Sequence, residues 1–348
     1  QWRAHWAQQK PLRHKEKVTS FPDRYRSKIF VQVPGLFTDT YPGYMSDIVG
    51  FLKKARLDFI KAPLNTFASV ESNARALYTF IKELAEKRAA QGEDMRDRIV
   101  LFAHSKGVCD AALALHTHPD MHPFIHLFMA MQGPFGGTAV LQDLYSNTLK
   151  TATSLIDGVF STVFGGNISS LTDMCYVDRR KVAENFPCDK VRTVCLVTAY
   201  NEDMSFLSPF ISYVKQRYNS QCDGLVTTKD MVIPGAHTVF VDGIDHGMTV
   251  FGSPLNPGPY YPLDIFLALL LCVPADDSRA RPQPALVTAE TKAQKQKKQN
   301  AKSAMAELDG VHDELLLLKK GLKKRVKEAG GAGVVGAAGA LGVVGGGG

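Results

Sequence analysis

Short apolar runs alternate with amphipathic stretches from residue 29 to residue 272, and few folds are compatible with this alternation. The runs are rich in Val, Ile, Leu and Phe, as strands buried on both faces of a sheet are. The stretches between them repeat apolar residues every three or four positions, which is typical of amphipathic helices. We therefore predict an α/β fold with a mainly parallel sheet and helices on both faces. The predicted strands are 29–33, 57–60, 99–102, 124–131, 191–197 and 237–241.

Composition changes at both ends of this region. We predict a basic N-terminal arm at 1–28, one α/β domain at 29–278 and non-globular tails. Within the domain, 139–190 is rich in Ser and Thr and lacks a strong strand, which predicts a lid-like insertion over the sheet. The region 279–348 begins with a basic linker rich in Lys and Pro. A helix with a short heptad stripe follows at about 301–328, and the chain ends in a Gly-rich tail.

Charge is unevenly distributed along the chain. The formal net charge is +7, but residues 1–28 carry +6 and residues 279–348 carry +7, which leaves −6 for residues 29–278. A domain without a basic surplus cannot follow a phosphate backbone, so we predict no nucleic-acid partner for it. The arm is basic and poor in acids and shows no secretory signal, which is typical of a remnant beside an organelle-targeting segment. We predict a mitochondrial or plastid location; a solvated arm is the alternative.

The six cysteines are scattered singly, with no C-x-x-C pair and no histidine at metal-ligand spacing. This pattern predicts reduced, buried thiols, and neither a metal site nor a cofactor. A single disulfide, for example between Cys175 and Cys188, is the alternative.

One serine lies where a buried strand is followed by a helix. Ser105 comes after the predicted strand 99–102 and before an Ala- and Leu-rich stretch at 108–115. A sharp strand-to-helix turn brings its flanking residues together and requires small ones, and Ala103 and Gly107 are small. We predict that this serine is a nucleophile. The alternative is an ordinary helix N-cap, for which serine is also favoured.

A serine nucleophile needs a base, an acid that orients the base, and donors for an oxyanion. The candidate base is His246, on a glycine-flanked loop after the last predicted strand. The two candidate acids, Asp223 and Asp203, follow the strand at 191–197. The chain order Ser105, Asp, His is the order expected in a fold of this type.

Two segments can supply the oxyanion donors. The first is the N-terminus of the helix after Ser105, where the backbone N–H of Lys106 is available. The second is the loop after the first strand, where Gly35 lets the backbone approach and the N–H of Leu36 or Phe37 can point at the oxygen.

These segments resemble the lipase and serine-esterase branch of the α/β-hydrolases. The resemblance covers about residues 30–272 and rests on the segments 33–37, 41–44, 103–107, 132–138 and 223–226 and on Asp110. It implies an α/β-hydrolase fold and favours Asp223 as the acid, because Asp-Gly-Leu-Val at 223–226 is similar to the family's acid loop. The sequence departs from the family pattern at Pro34, where histidine is usual, and at Ala103 and Val108, where glycine is usual.

We therefore predict a serine hydrolase of carboxylic esters, with a lipid-like substrate because the insertion at 139–190 is lid-like. The alternative is a hydrolase-fold scaffold or accessory subunit of a larger, membrane-associated complex. Its basis is the tails, because the arm with Trp2 and Trp6 and the helix at about 301–328 are not needed for ester hydrolysis. Both are expected to contact protein partners or a membrane surface.

Overall fold

The computed structural model of the chain describes residues 21–36, 38–39, 41, 43–145, 169–201, 205–252 and 260–273. Several predicted features lie outside these residues. They include most of the N-terminal arm, the middle of the insertion at 139–190, and the whole of 279–348 with its predicted helix at about 301–328. Two candidate site residues, Phe37 and Asp203, also lie outside the described residues.

Within the described residues, six strands form one sheet, and all neighbouring strands are parallel. They are β1 (Ile29–Val33), β2 (Asp58–Lys61), β3 (Ile99–His104), β4 (Ile125–Met131), β5 (Thr193–Ala199) and β6 (His237–Asp242). The order across the sheet is β2-β1-β3-β4-β5-β6, so the strand order reverses between β1 and β3. Open α/β sheets bind ligands outside the carboxyl ends of the strands at such a reversal. The predicted α/β fold with a parallel sheet is confirmed.

The helices of the described chain are α1 (Ser46–Lys54), α2 (Val70–Ala89), α3 (Lys106–Thr117), α4 (Ala139–Tyr145), α5 (Tyr176–Asn185), α6 (Ser208–Tyr218), α7 (Thr228–Met231) and α8 (Pro262–Cys272). Local signals set some of their ends. Helix α2 is capped by Ser69, whose Oγ accepts a hydrogen bond from the Ser72 backbone N–H at 3.1 Å. Among the helices described, none combines the length and the apolar character that a membrane span requires.

Helices cover both faces of the sheet. On one face α1 and α8 pack over β1 and β3, and the ring centroid of Phe266 lies 6.2 Å from that of Phe30 and 5.3 Å from that of Phe102. On the other face α2 and α3 pack over the alternate residues of the same strands, such as Val31 and Leu101. Side chains alternate between the two faces along a strand, so each apolar strand contributes to both layers. Each buried large side chain contributes about 1.5–3 kcal/mol to folding.

The residues just before β1 pack onto the domain. Phe21 and Tyr25 are buried in the core. The Tyr25 hydroxyl donates to the Leu270 carbonyl at 2.9 Å, and the Arg24 guanidinium donates to the same carbonyl at 3.0 Å. These bonds satisfy a carbonyl in the last turn of α8, where helix carbonyls lack intrahelical partners. Residues 21–28, which we predicted to belong to the basic arm because of their charge, thus include side chains of the core.

The described residues of the insertion at 139–190 include the helices α4 and α5 and a 3₁₀ helix at Ser169–Met174. The side chain of Asp143 in α4 is buried and accepts hydrogen bonds from the Tyr213 hydroxyl at 2.7 Å and from Arg217 Nε at 2.9 Å. Both donors lie in α6, so the start of the insertion is fixed to the domain. That the insertion acts as a lid stays a prediction.

Candidate active site

The turn between β3 and α3 holds Ser105 in a strained backbone conformation. Strand β3 ends at His104 and α3 begins at Lys106, and the intervening Ser105 has φ 56° and ψ −129°. Residues other than glycine rarely adopt such angles, and they do so where the surrounding structure enforces them. Here the Ser105 N–H donates to the Met131 carbonyl of β4 at 3.1 Å. Ser105 occupies the N-cap position of α3, but its side chain makes no capping hydrogen bond to the helix.

Three side chains from separate loops meet at this turn. Ser105 Oγ lies 2.8 Å from Nε2 of His246, and Nδ1 of His246 lies 2.7 Å from Oδ2 of Asp223. His246 is 6% exposed and Asp223 is fully buried, so the pair is shielded from water. Both distances lie within hydrogen-bond reach, as nucleophile–base and base–acid contacts must. The structure therefore brings together Ser105, His246 and Asp223, while the alternative acid Asp203 lies outside the described residues.

Backbone groups fix the orientation of the Asp223 carboxylate. Its Oδ1 accepts hydrogen bonds from the N–H groups of Leu225 at 3.0 Å and Val226 at 2.8 Å, which leaves Oδ2 directed at His246. A carboxylate only accepts, so the network assigns the imidazole proton to Nδ1 of His246. Nε2 then carries a lone pair and can accept the proton of Ser105.

The loop that carries His246 is held by the residue before it. Asp245 Oδ1 accepts hydrogen bonds from the N–H groups of Gly247 at 2.8 Å and Met248 at 2.9 Å, and its Oδ2 bonds to the Ser205 hydroxyl at 2.5 Å. Asp245 was not among the residues predicted from the sequence. A local signal was available, because an aspartate two residues before a glycine commonly forms such a turn.

The two segments predicted to supply oxyanion donors lie against each other. A Cβ added to Gly107 would come within 2.7 Å of the Val33 carbonyl oxygen, and one added to Gly35 would come within 2.7 Å of the His104 carbonyl oxygen. Only glycine allows these approaches of backbone to backbone. The loop after β1 therefore borders the turn at Ser105.

Two backbone N–H groups in these segments remain available for an oxyanion. Among the hydrogen bonds of the described residues, none uses the N–H of Leu36 or of Lys106. Lys106 is the first residue of α3, and N–H groups in the first turn have no intrahelical acceptor. Phe37, the other candidate in the loop after β1, lies outside the described residues.

The side chain of Lys106 points away from this site into a buried ion pair. Its Nζ lies 3.0 and 3.1 Å from the two carboxylate oxygens of Asp110, and both side chains are 1% exposed. Asn73 of α2 donates to the same carboxylate at 2.9 Å. Burial raises the pKa of Asp110 to about 6, and the ammonium of Lys106 opposes that rise. The pair anchors the first turn of α3, whose N-terminus carries the candidate oxyanion donor.

His104 is buried beneath the turn and bonds to two other loops. Its Nδ1 lies 2.7 Å from the Tyr44 hydroxyl, and its Nε2 lies 3.1 Å from the His246 carbonyl oxygen and 3.2 Å from Oε1 of Gln132. Burial holds the pKa of His104 well below its usual value, and the neighbouring His246 acts in the same direction. His104 is therefore neutral near pH 7.

We expect the protein to lose stability below about pH 6.5, in part because of His104. The unfolded chain takes up this proton near pH 6.5, whereas the folded site resists it, so the unfolded state binds more protons as the pH falls. The contribution is complete above about pH 6.5 and decreases by about 1.4 kcal/mol per pH unit below it. Urea unfolding at several pH values measures this slope, and His104→Gln should show a shallower one. Equal slopes in both proteins would contradict the assignment.

All six cysteines are free, and all lie in the described part of the chain. Burial raises the pKa of the Cys109 thiol to about 11 and that of Cys222 to about 12. Such thiols are weak nucleophiles near neutral pH. Within the described ranges, no three side chains of His, Cys, Asp or Glu are grouped so as to hold a metal ion.

Comparison with known proteins supports the fold. No protein-family model matches the chain, and neither does any curated protein. The mature form of the lipase BlEst2 from Bacillus licheniformis is similar in structure, with 19% identity and a TM-score of 0.51 over 66% of this chain and 89% of that chain. The metagenomic carboxyl esterase MGS0156 has 19% identity and a TM-score of 0.50 over 71% of this chain and 75% of that chain. At these identities the similarity establishes the α/β-hydrolase fold.

Proposed function

We propose that this chain, which has an α/β-hydrolase fold, is a serine hydrolase of carboxylic esters. The observation that carries the proposal is the hydrogen-bonded sequence Ser105 Oγ, His246 and Asp223, with donor–acceptor distances of 2.8 and 2.7 Å. A nucleophile in a strained turn, a buried base and a fully buried acid form the arrangement that activates serine on several unrelated folds.

Each group has a defined step in the proposed reaction. Ser105 Oγ attacks the ester carbonyl carbon as Nε2 of His246 removes its proton, and the N–H groups of Leu36 and Lys106 stabilise the resulting oxyanion. The imidazolium of His246 then protonates the leaving alcohol, and an acyl group stays on Ser105. Water, deprotonated by His246, then attacks the acyl carbonyl carbon; the bond to Ser105 Oγ breaks as the imidazolium returns its proton to that oxygen, and the carboxylic acid leaves. Asp223 stays ionised throughout and stabilises the imidazolium.

For the substrate we propose an ester with a lipid-like acyl chain. The support is the insertion at 139–190, which begins with α4 just after the loop that follows β4 and contains α5 among its later described residues. One of the similar structures is described as a lipase and the other as a carboxyl esterase.

A fluorophosphonate probe tests the nucleophile directly. We expect the wild-type protein to be labelled and Ser105→Ala to remain unlabelled, because the probe reacts with an activated serine. Ser72→Ala is the matched control, since Ser72 is an exposed serine of α2 and should label like wild type. Mass spectrometry of the labelled peptide locates the adduct. A folded wild-type protein that is not labelled, with or without detergent, would refute the proposed function.

The alternative, a scaffold or accessory subunit of a larger complex, rests on the arm at 1–28 and on the region 279–348. Residues 1–20 and 279–348 lie outside the described part of the chain, so contacts of the arm and the C-terminal helix with proteins or a membrane stay predictions.

A further inference from the structure

Three loops form the candidate active site. The buried side chain of His104 belongs to one of them and forms hydrogen bonds to the other two. We define the oxyanion loop as residues 34–44, the elbow as residues 104–107 and the histidine loop as residues 243–249. We propose that His104 is a positioning residue whose neutral imidazole ties the oxyanion loop to the histidine loop. The proposal rests on the proposed function, because it assigns His104 a part in placing His246 and the oxyanion donor.

The partners of His104 determine its tautomer. The His246 carbonyl at 3.1 Å can only accept a hydrogen bond, so Nε2 of His104 carries the proton. In the neutral imidazole Nδ1 then carries a lone pair, and the Tyr44 hydroxyl at 2.7 Å donates to it. Burial raises the pKa of Tyr44 and lowers that of His104, so both groups keep the protonation states that this bond requires. The neutral Nε2–H form is the one that satisfies both loops.

On the side of the oxyanion loop, Tyr44 limits the position of the backbone next to the candidate donor. A Cβ added to Gly35 would come within 2.5 Å of the Tyr44 hydroxyl oxygen and within 2.7 Å of the His104 carbonyl oxygen. Gly35 is thus enclosed between the Tyr44 hydroxyl and the elbow backbone. Leu36, whose N–H is the proposed donor, follows directly. The Tyr44–His104 hydrogen bond therefore limits the position of the backbone that leads into the Leu36 N–H.

On the side of the histidine loop, the bond to the His246 carbonyl is supported by Gln132. The Gln132 side chain is fully buried; its Oε1 accepts from Nε2 of His104 at 3.2 Å, and its Nε2 donates to the Asp245 carbonyl at 2.8 Å. Two successive carbonyl groups of the histidine loop therefore accept hydrogen bonds, that of Asp245 from Gln132 and that of His246 from His104. These bonds act together with the Asp223 contact to Nδ1 in keeping Nε2 of His246 directed at Ser105.

The charge of His104 also matters for the proposed reaction. Its ring centroid lies 4.8 Å from that of His246, which becomes an imidazolium when Ser105 attacks. A second positive charge at this distance and depth would oppose that step. The polar groups around His104 are the Tyr44 hydroxyl, the Gln132 amide and His246, and none of the three is a carboxylate that would favour a charged His104.

A set of variants separates the two ties. In His104→Asn the amide oxygen lies near the position of Nδ1 and can accept from Tyr44, whereas in His104→Gln the amide nitrogen lies near the position of Nε2 and can donate to the His246 carbonyl. His104→Leu retains neither bond. With p-nitrophenyl butyrate we expect kcat to fall about tenfold in the Asn and Gln variants and about 100-fold in His104→Leu, since misplacement by about 1 Å has effects of this size. KM should change less than about threefold.

Tyr44→Phe gives the decisive comparison. It should lower kcat about tenfold in the wild-type background and less than about twofold in the His104→Gln background, where the bond is already lost. If the tyrosine acted independently of His104, Tyr44→Phe would lower kcat by the same factor in both backgrounds, and that result would overturn the proposal. So would a His104→Leu protein of wild-type melting temperature that keeps kcat. His237→Gln changes an exposed histidine at the start of β6 and is the control; its kcat should match that of wild type.

Nitrogen NMR of histidine-labelled protein tests the tie without any assay of activity. The signals missing from His104→Gln identify His104, and we expect a neutral Nε2–H imidazole between pH 8 and about pH 6.5, where an ordinary imidazole is half protonated. A Nδ1–H tautomer or a protonated ring in that range would overturn the inference even if the enzyme is active. Conversely, a wild-type protein that neither hydrolyses the ester nor reacts with fluorophosphonate, but shows this tautomer, would refute the proposed function and keep the tie between the loops.

Discussion

Asp223→Asn is expected to lower kcat for ester hydrolysis by about 10⁴-fold without unfolding the protein. The Asp223 Oδ1 accepts two backbone N–H groups, so the oxygen of an asparagine at this position would stay there and its NH₂ group would face His246. An NH₂ group donates, so Nδ1 of His246 would have to accept, and its proton would move to Nε2. The imidazole could then no longer accept the proton of Ser105.

The matched variant is Asp203→Asn, at the other acid that follows β5 in the sequence. We expect its kcat to stay within about threefold of wild type, whereas Asp223→Asn loses activity. Hydrolysis of p-nitrophenyl butyrate measures kcat, and near-ultraviolet circular dichroism checks the fold of both variants. The reverse pattern, with activity lost in Asp203→Asn and kept in Asp223→Asn, would show that the hydrogen-bonded acid of the structure is not the acid of the reaction.

Local patterns in the sequence predicted the sheet and the residues that meet at the candidate site. Ser105 could be found because a strained turn between a buried strand and a helix restricts its neighbours to small residues, which is a short-range requirement. Asp223 was favoured over Asp203 by a resemblance of four residues, and the structure brings Asp223 to His246. Whether these side chains perform catalysis is the proposal that the variants test.

The residues around the site were harder to find because their contacts are distant in the chain. Gln132 bonds to Thr198 at 2.6 Å and to the Asp245 carbonyl, and these partners are 66 and 113 residues away. Tyr44 reaches His104 over 60 residues. Both residues lie in segments that carry the resemblance, 41–44 and 132–138, but periodicity and turn propensity describe only neighbours along the chain and do not predict these hydrogen bonds. Residues 21–28 were assigned to the N-terminal arm by their charge, and the burial of Phe21 and Tyr25 among them was not predicted.

The side chain of Lys106 was a second omission, and a local signal for it existed. We predicted a role for its backbone N–H alone, but a lysine four residues before an aspartate on one helix face can form an ion pair with it. In this structure both charges are buried, with side chains 1% exposed. Such a pair is sensitive to the loss of one partner, because the other charge is then left without compensation.

Lys106→Met is therefore expected to lower the free energy of unfolding by about 3–5 kcal/mol at pH 8. Burial already raises the pKa of Asp110 to about 6, and removal of the ammonium that opposes this rise would raise it further. A carboxyl whose pKa is higher in the folded than in the unfolded state binds more protons when the protein is folded. The free energy of unfolding therefore falls as the pH rises from the unfolded-state pKa to the folded-state pKa. Between pH 6 and pH 8 the variant should lose about 1.4 kcal/mol per pH unit relative to wild type.

Urea unfolding at pH 6, 7 and 8 measures this divergence, and the double variant Lys106→Met/Asp110→Asn identifies its source. With the carboxyl replaced by an amide nothing at this position titrates in the variant, so the progressive loss of stability between pH 7 and pH 8 seen in Lys106→Met should disappear. Lys82→Met removes an exposed partner of Asp120 and should show no such dependence either, because water screens that pair. A pH slope that persists in the double variant would mean that another group titrates, and the buried pair would then not be the anchor of α3.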